Sequence, residues 1–282
     1  MRLRTILLAA CLLLPGLARA ADAWFTTGDG VRLHVIEAGP PAAPTILFVP
    51  GWTMPAWIWQ RQIDAFSRTY RVVALDPRGQ GESEIAEDGY DHRRRGEDIA
   101  DLLALLGPRP VRLVGWSLGV LDSLAYVQEH GDSRLSGLVL VDNSVGEEPA
   151  PVPRRLPPRR GPKPEREVAM RSFVRSMFRE PPSAAYLERL TETALRTPPD
   201  AAAKLLAYPV PRSYWREAVY SVRRPVLYAV TSRLAGQAGN LAAQHPTAET
   251  AVFEGSGHAF IVDEAPRFNA LLDGFIRRRV GR

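Results

Sequence analysis

The sequence predicts an α/β fold, with a mostly parallel, doubly wound sheet of about eight strands and helices on both faces. Two observations predict it. Short apolar runs rich in β-branched residues alternate along the chain with longer stretches whose apolar residues recur at helical spacing. The short runs are apolar throughout and are bounded by Gly, Pro or Asp, which is typical of parallel strands buried on both faces.

The first two strands are predicted to form a hairpin. The stretches AWFTT and VRLHVIEA flank Gly28-Asp29-Gly30, which is a turn signal between alternating segments. The parallel strands are then predicted at 45–49, 71–75, 111–115, 137–141, 225–230 and 250–253. Helices are predicted between them, at 57–69, 96–106, 118–130 and 264–279.

The alternation of strand and helix is interrupted over residues 144–222. The segment from Pro149 to Pro164 holds seven prolines and five basic residues, a composition typical of an extended linker. Apolar residues at helical spacing follow it. We therefore expect an α/β core of 21–143 and 223–282, with 144–222 inserted after the sixth strand as a helical lid with a Pro/Arg-rich linker. A surface-binding patch is the alternative reading of that linker.

Residues 1–20 have the pattern of a secretory signal peptide. Arg2 and Arg4 precede a short apolar run, and Ala18-Arg19-Ala20 forms an A-x-A cleavage site. The run is shorter than the roughly 20 apolar residues of a membrane span, so no stable span is expected. We expect cleavage near Ala20 and a periplasmic or secreted protein. Acylation at Cys11, as in a lipoprotein, or an uncleaved anchor is the alternative.

Charge and cysteine content exclude several classes of function. Removal of the leader takes away three of the 36 basic residues and none of the 31 acidic ones, so the net charge falls from +5 to 33 − 31 = +2. A balance this small does not indicate nucleic acid as a partner. Cys11 is the single cysteine, so the mature chain would have no disulfide or thiol nucleophile. No metal-ligand cluster or phosphate-binding glycine loop is recognisable, and we expect neither metal nor cofactor.

Residues 113–121, LVGWSLGVL, contain the strongest catalytic signal. A predicted strand leads into G-x-S-x-G and then into a predicted helix, which is the context of a nucleophile elbow. Ser117 is therefore the candidate nucleophile. The alternative is that Ser117 is an ordinary helix N-cap.

A serine hydroxyl needs a base to take its proton. Of five histidines, His258 alone lies in a glycine-containing loop directly after the last predicted strand, in FEGSGHAFIVDEAPRF. A loop histidine at that edge of a parallel sheet can reach the end of another strand. The remaining four are His34 in an early strand, His92 and His130 at helix edges, and His245 in a polar connection; we interpret HRRR at 92–95 as a solvated helix start.

Five stretches resemble, in order, the landmarks of the α/β-hydrolase family. They are FVPGWTMPAWIWQRQ, VVALDPRGQGESE, VGWSLGV, GLVLVDNS and FEGSGHAFIVDEAPRFN, and they are most similar to its small esterase and cofactor-free haloperoxidase-like branch. The resemblance covers about residues 25–148 and 223–280. It implies an oxyanion hole formed by the backbone N–H groups of Trp52 and Leu118. Pro50 stands where the family has His, and the loop 76–81 is interpreted as structural.

The acid of the triad is missing from its usual place. In most of the family it follows the seventh strand, but residues 225–240 contain neither Asp nor Glu. Asp142, at the end of the sixth strand, occupies a position that some members use, and it is the predicted acid. The alternative is that Asp142 caps the strand end and the site has no acid. Asp122 is expected to point away, and Asp263 to cap the final helix.

Carboxylic ester hydrolysis through an acyl-enzyme on Ser117 is the predicted activity, with His258 as base and Asp142 as acid. A serine at 117 excludes the aspartate nucleophile of epoxide hydrolases and dehalogenases. The expected substrate is a small-molecule ester with an apolar acyl or alcohol group, in a pocket lined by Trp57, Trp116 and Phe260. Alternatives are a cofactor-free perhydrolase or haloperoxidase, a lactonase at the same site, or a non-catalytic binding protein that has kept the fold.

Overall fold

The structure, a computed structural model, describes residues 20–151, 164–180 and 182–280. The predicted signal peptide with Cys11 lies outside the described residues except for Ala20, and most of the Pro/Arg-rich linker lies outside them as well. The predictions for these two segments therefore stay predictions. Among the described residues, no helix is long and apolar enough to cross a membrane.

Eight strands form one sheet in the described part of the chain, as the sequence predicts. The strands are β1 (Ala21–Thr26), β2 (Arg32–Ala38), β3 (Thr45–Val49), β4 (Arg71–Asp76), β5 (Val111–Trp116), β6 (Leu135–Val141), β7 (Val226–Thr231) and β8 (Ala248–Phe253). Their spatial order in the sheet is β1-β2-β4-β3-β5-β6-β7-β8. The antiparallel hairpin of β1 and β2 lies at one edge, and the other six strands are parallel to one another.

Ten α-helices lie within the described ranges, and they cover both faces of the sheet. They are α1 (Gln60–Phe66), α2 (His92–Leu105), α3 (Leu118–His130), α4 (Arg166–Ser176), α5 (Ala184–Leu195), α6 (Pro199–Lys204), α7 (Arg212–Ser221), α8 (Ala235–Gln244), α9 (Phe260–Asp263) and α10 (Ala265–Phe275). The sequence interpretation did not single out α8, because its small residues form only a short apolar row.

One local prediction about charged residues holds only in part, and another is wrong. At the HRRR helix start Arg93 is exposed, but His92 and Arg95 are buried, and the His92 ring packs edge-on against Trp215. Asp263 does not cap the final helix, since Glu264 precedes α10 and makes no side-chain cap. The Asp263 carboxylate instead accepts a hydrogen bond from the backbone N–H of Arg179 at 2.9 Å.

Sheet order and register bring the candidate residues to one edge. β5 lies between β3 and β6, with Val49 paired to Gly115 and Trp116 paired to Val141. Because the strands are parallel, the loops that follow β3, β5, β6, β7 and β8 meet at their carboxyl ends, where α/β folds bind ligands. Trp52, Ser117, Asp142 and His258 all lie in these loops.

Helices α4 to α7 lie between β6 and β7, in the region where the lid is predicted. The Trp52 ring meets Phe173 of α4 edge-on at 5.1 Å, and the Trp57 ring meets Tyr186 of α5 at 5.3 Å. After α4, the carbonyl of Met177 accepts a hydrogen bond from the N–H of Ala259 at 2.8 Å. These contacts place α4 and α5 against the loops that follow β3 and β8.

Candidate active site

Ser117 occupies a strained turn between β5 and α3. Its backbone angles are φ 55° and ψ −121°, and its N–H donates to the carbonyl of Val141 at 2.8 Å. The side chain makes no capping hydrogen bond to α3, so the N-cap alternative does not explain this serine. The hydroxyl is left free to face the edge of the sheet, as a nucleophile elbow requires.

The two glycines of the G-x-S-x-G motif are required by close contacts. A Cβ at Gly119 would lie 2.4 Å from the carbonyl oxygen of Val49, and one at Gly115 would lie 2.3 Å from the carbonyl oxygen of Gly119. Both distances are too short for any side chain. The glycines therefore let α3 approach β3 and let the turn at Ser117 remain tight.

His258 lies between Ser117 and Asp142. Its Nε2 atom is 2.8 Å from Ser117 Oγ, and its Nδ1 atom is 2.6 Å from Asp142 Oδ2. The backbone carbonyl of His258 accepts a hydrogen bond from the indole of Trp116 at 2.9 Å, and this bond holds the loop. The His258 side chain is 29% exposed and the Asp142 side chain is 2% exposed. The imidazole of His258 is therefore accessible to solvent, whereas the carboxylate of Asp142 is not.

The carboxylate of Asp142 is hydrogen-bonded on both oxygens. Oδ1 accepts from the backbone N–H and from the hydroxyl of Thr231, both at 2.8 Å, while Oδ2 faces His258. Burial alone would raise the pKa of Asp142, but the hydrogen bonds and charge of His258, together with Thr231, hold this pKa below its ordinary value. The end of β7 thus contributes two hydrogen-bond donors to Asp142, the residue that directly follows β6.

The loop after β3 runs against the nucleophile. A Cβ at Gly51 would lie 2.9 Å from the Cβ of Ser117. Within the described residues, neither the N–H of Trp52 nor that of Leu118 donates to another group of the chain. Leu118 begins α3, whose first N–H groups lack intrahelical partners and carry the positive end of the helix dipole. Both N–H groups are thus available to a developing oxyanion.

Backbone strain is concentrated at this site. In the described chain, three non-glycine residues have positive φ: Thr53 at 60°, Ser117 at 55° and Asp142 at 49°. Each such conformation costs on the order of 1–3 kcal/mol and persists only where the surroundings enforce it. One lies in the loop after β3, one in the nucleophile turn and one at the end of β6. Such clustering is typical of active sites.

An apolar groove of about 570 Å³ opens beside the loop after β3. It lies between α4 and α6, and the indole of Trp52 closes one side while donating to the carbonyl of Ala202 at 2.8 Å. Its lining is almost entirely apolar, with Arg166 as the one charged residue, and comprises Trp52, Pro164, Arg166, Ala169, Met170, Phe173, Pro199, Ala202, Ala203 and Leu206.

The predicted pocket residues do not share one cavity. Trp57 lines a larger cleft of about 650 Å³ whose other walls include acidic and basic side chains. Neither this cleft nor the apolar groove has Ser117 or His258 in its lining. Trp116 and Phe260 line neither of these two cavities, and both side chains are fully buried. Trp116 lies beneath the His258 loop, and Phe260 stacks on Phe253 at 4.1 Å.

Other titratable groups of the described chain do not join the site. Asp122 points away from Ser117 and lies 2.7 Å from Arg95, as expected. His34 lies between Asp76 and Asp22, and His245 is buried against the carbonyl of Val219. No group of three or more His, Cys, Asp or Glu that could hold a metal ion is present in the parts of the chain that are described.

Comparison with known proteins agrees with this geometry. The model of the alpha/beta hydrolase family matches residues 46–271, which is most of the chain. The chain belongs to the α/β-hydrolase family. The match begins inside β3 and ends inside α10, so it includes all four residues of the candidate site and the lid helices.

The curated relatives of this α/β-hydrolase include haloperoxidases and esterases. It is 38% identical over 117 residues to the non-heme chloroperoxidase CPO-A1 of Kitasatospora aureofaciens and 34% identical over 119 residues to the bifunctional esterase/perhydrolase DCH of Acinetobacter calcoaceticus. These alignments cover 41% and 42% of this chain. They cover 42% and 43% of the relatives, so the chain matches about two fifths of their length. Epoxide hydrolases are also among the relatives.

A solved structure extends the similarity to nearly the whole chain. A putative aryl esterase from Burkholderia cenocepacia superposes with a TM-score of 0.81 at 25% sequence identity, and the alignment covers 93% of this chain and 100% of that one. Since 93% of this chain is aligned, the shared architecture extends beyond the sheet into the region between β6 and β7. Together these relatives place the chain in the esterase and haloperoxidase branch of the family.

Proposed function

We propose that the protein hydrolyses carboxylic esters through an acyl-enzyme on Ser117. The observation that carries the proposal is the continuous chain of hydrogen bonds from Asp142 through His258 to Ser117, at 2.6 and 2.8 Å. This is the arrangement by which a weak hydroxyl nucleophile is activated and its base is oriented. A serine at this position also argues against the aspartate-based chemistry of the epoxide hydrolase relatives.

Each residue has a defined step in the proposed reaction. Ser117 Oγ attacks the ester carbonyl carbon while His258 Nε2 takes the hydroxyl proton, and Asp142 stabilises the imidazolium through Nδ1–H. The N–H groups of Trp52 and Leu118 bind the negative oxygen of the tetrahedral intermediate. His258 then protonates the departing alcohol. Water then attacks the acyl carbon while His258 Nε2 takes one of its protons. The bond from the acyl carbon to Ser117 Oγ breaks, His258 returns the proton to Oγ, and the carboxylic acid leaves.

The groove beside Trp52 favours an ester with an apolar, uncharged group. Its walls are mostly aromatic and aliphatic side chains. Transfer of an apolar group of the substrate from water into the groove is therefore favourable. The single charged side chain is already occupied, because the guanidinium of Arg166 donates to the carbonyls of Leu195 and Thr197. Among the described residues that line the groove, a carboxylate on the substrate would find no free cation.

Perhydrolysis is the second candidate, since hydrogen peroxide could replace water at the same acyl-enzyme. Relatives named as a haloperoxidase and as an esterase/perhydrolase favour it. The two activities share Ser117, His258 and Asp142 and differ in the species that attacks the acyl group. Monochlorodimedone halogenation in the presence of peroxide and a carboxylic acid measures the perhydrolase activity, and p-nitrophenyl ester cleavage measures the esterase activity.

The test of the proposed function is labelling with a fluorophosphonate probe followed by peptide mass spectrometry. The probe reacts only with an activated serine, so we expect modification of Ser117 in the parent and none in Ser117→Ala. p-Nitrophenyl esters of graded acyl length then give the preferred substrate. Absence of labelling, together with absence of ester cleavage, would favour the non-catalytic binding protein.

We also propose that the protein is exported and that its mature chain begins near Ala21. The support is the sequence pattern of residues 1–20. Mass spectrometry of the protein recovered from the cell envelope or medium tests the proposal. An intact Met1 on that protein would refute it, and an acylated Cys11 would mean a lipoprotein.

A further inference from the structure

Gln80 is a fully buried side chain in the loop after β4, and it is directed at the loop after β3. Its amide Nε2 donates to the carbonyl of Gly51 at 3.0 Å and to the carbonyl of Met54 at 2.8 Å. Both hydrogens of the amide are therefore used on one short segment. That segment, 51–54, contains Trp52, whose N–H is one of the two candidate oxyanion donors.

The segment 51–54 is a strained turn. The N–H of Met54 donates to the carbonyl of Gly51 at 3.1 Å, which closes the turn, and Thr53 inside it has φ 60°. A β-branched residue in this region of backbone space is a steric outlier. Such a conformation persists only where the surrounding structure enforces it, and the amide of Gln80 bonds to the carbonyls at both ends of the turn.

The amide of Gln80 is itself fixed from behind. Its Oε1 accepts a hydrogen bond from Arg95 Nη1 of α2 at 3.0 Å, which decides that the NH₂ group, and not the oxygen, faces the turn. The other terminal nitrogen of Arg95 lies 2.7 Å from Asp122 of α3. All three side chains are buried.

We propose that Gln80 is a positioning residue for the oxyanion hole: with Arg95 behind it, it holds the 51–54 turn so that the Trp52 N–H faces the Ser117 centre. The proposal rests on the proposed ester hydrolysis and assigns a role to a loop that the sequence suggests is only structural. The chain of contacts ends on α3, the helix that begins directly after Ser117. The donor at Trp52 and the donor at Leu118 are thereby linked through buried side chains.

The consequence is selective for the transition state. Without Gln80 Nε2, the carbonyl of Met54 loses its Gln80 donor, the carbonyl of Gly51 keeps only the N–H of Met54, and the strained turn at Thr53 can relax. Substrate binding in the apolar groove uses the indole of Trp52, which its hydrogen bond to Ala202 also holds, whereas the tetrahedral intermediate uses the backbone N–H of Trp52. Loss of a complete oxyanion donor typically lowers kcat by about 10²–10³. A displaced donor should lower kcat by about 10- to 100-fold while KM changes little.

The experiment compares Gln80→Met and Gln80→Glu with the matched control Gln62→Met. Methionine has nearly the shape of glutamine without its donors, and glutamate keeps an acceptor for Arg95 but cannot donate to the turn. Gln62 is also fully buried, and its amide donates twice at 2.8 Å, to Ile261 and Asn269, between α1 and the helices that follow β8. Thermal unfolding monitors the stability of each variant.

Three readouts separate positioning from general destabilisation. The first is kcat and KM on a p-nitrophenyl ester. The second is the affinity for a trifluoromethyl ketone, which forms a tetrahedral adduct with Ser117, against that of the corresponding secondary alcohol, which does not. The third is hydrogen exchange of the peptide that contains residues 50–56, which reports the turn without any need for catalysis.

For both Gln80 variants, we expect kcat and trifluoromethyl ketone affinity to fall by about 10- to 100-fold, alcohol affinity to stay constant, and exchange at 50–56 to quicken. Gln62→Met should lose thermal stability without these changes. Equal losses in Gln62→Met, or unchanged kcat in a folded Gln80→Met, would overturn the inference alone. If the parent enzyme were not labelled at Ser117, the proposed function would be refuted instead. Unchanged hydrogen exchange at residues 50–56 in the Gln80 variants would refute the positioning role in either case.

Discussion

Asp142 combines two properties that a triad acid needs: it is buried, and it stays ionised. Thr231 supplies two hydrogen bonds to Oδ1, and His258 faces Oδ2. Its lowered pKa means that the carboxylate is charged throughout the range in which an esterase would work. The bonds from Thr231 also fix the carboxyl plane, so that Oδ2 is directed at the imidazole.

At the residue scale, Asp142→Asn is expected to lower kcat by about 10⁴-fold, as the corresponding change does in serine proteases. The amide keeps the shape of the side chain but cannot stabilise the imidazolium form of His258. Steady-state kinetics on a p-nitrophenyl ester measure the loss. Asp263→Asn is the control, since that carboxylate binds the backbone N–H of Arg179 and not the imidazole; it should remain within about tenfold of the parent. A large loss there, or a small one at Asp142, would refute the assignment of the acid.

Ser117→Ala and His258→Ala are each expected to abolish measurable ester cleavage and to leave the fold intact. The double variant should be no slower than the slower single variant, because the two residues act as one unit. Circular dichroism checks the fold, and kcat/KM gives the coupling. If the double loss equalled the product of the single losses, the two side chains would act independently.

At the scale of elements, the lid helices α4 and α6 form the walls of the apolar groove, with Trp52 between them. Ala203 is an exposed residue on α6 that lines the groove without contributing to the site. Ala203→Trp should therefore fill part of the 570 Å³. We expect kcat/KM for long-chain p-nitrophenyl esters to fall while that for the acetate stays within about threefold, since one or more buried methylenes are worth about 1–3 kcal/mol.

The control for this variant is Lys204→Trp, which adds the same ring to an exposed neighbour outside the groove lining. Its chain-length preference should match that of the parent. If Ala203→Trp also left the preference unchanged, the acyl group would lie elsewhere, and the mixed-charge cleft at Trp57 would become the next candidate.

At the scale of the whole molecule, His34 links the antiparallel hairpin to the parallel sheet. On β2, its Nδ1 lies 2.7 Å from Asp76 of β4 and its Nε2 lies 3.1 Å from Asp22 of β1. Burial alone would lower the pKa of His34, but hydrogen bonds to the two carboxylates and their charges raise the net pKa above 6.5. The folded state therefore binds this proton more tightly than the unfolded state does.

A raised histidine pKa has a definite sign in the stability of the fold. The contribution of His34 is fully present below its unfolded pKa of about 6.5 and is lost as the pH rises through its folded pKa. We expect Tm to fall as the pH rises through the folded pKa of His34. In His34→Asn the decrease of Tm over the same pH range should be smaller. Differential scanning fluorimetry across pH measures both. His130→Asn, on an exposed histidine of α3, should keep the parental slope; an equal flattening there would refute the explanation.

The sequence by itself determined where the strands lie along the chain, and it singled out Ser117 as the candidate nucleophile. Each parallel strand was found within two residues, because strands buried on both faces must be apolar throughout, and that local composition needs no partner to be read. The glycines around Ser117 are also visible in the sequence, because close contacts leave no room for a Cβ at either position. The family could also be recognised from these ordered motifs.

Only the tertiary structure decided which side chains meet. The distance of 2.6 Å between Asp142 and His258 joins residues 116 positions apart. It requires the loop after β8 to reach past β7 to the end of β6, and composition does not encode that strand order. The burial of individual side chains also depends on the tertiary structure. Trp116 and Phe260 are core residues, and His92 and Arg95 of the charged HRRR segment are buried, because other elements pack over these side chains. The link from Gln80 to the 51–54 turn is of this kind as well. A single polar residue in a loop has no sequence signal for its partners, because their positions depend on how β3, β4 and α2 pack together.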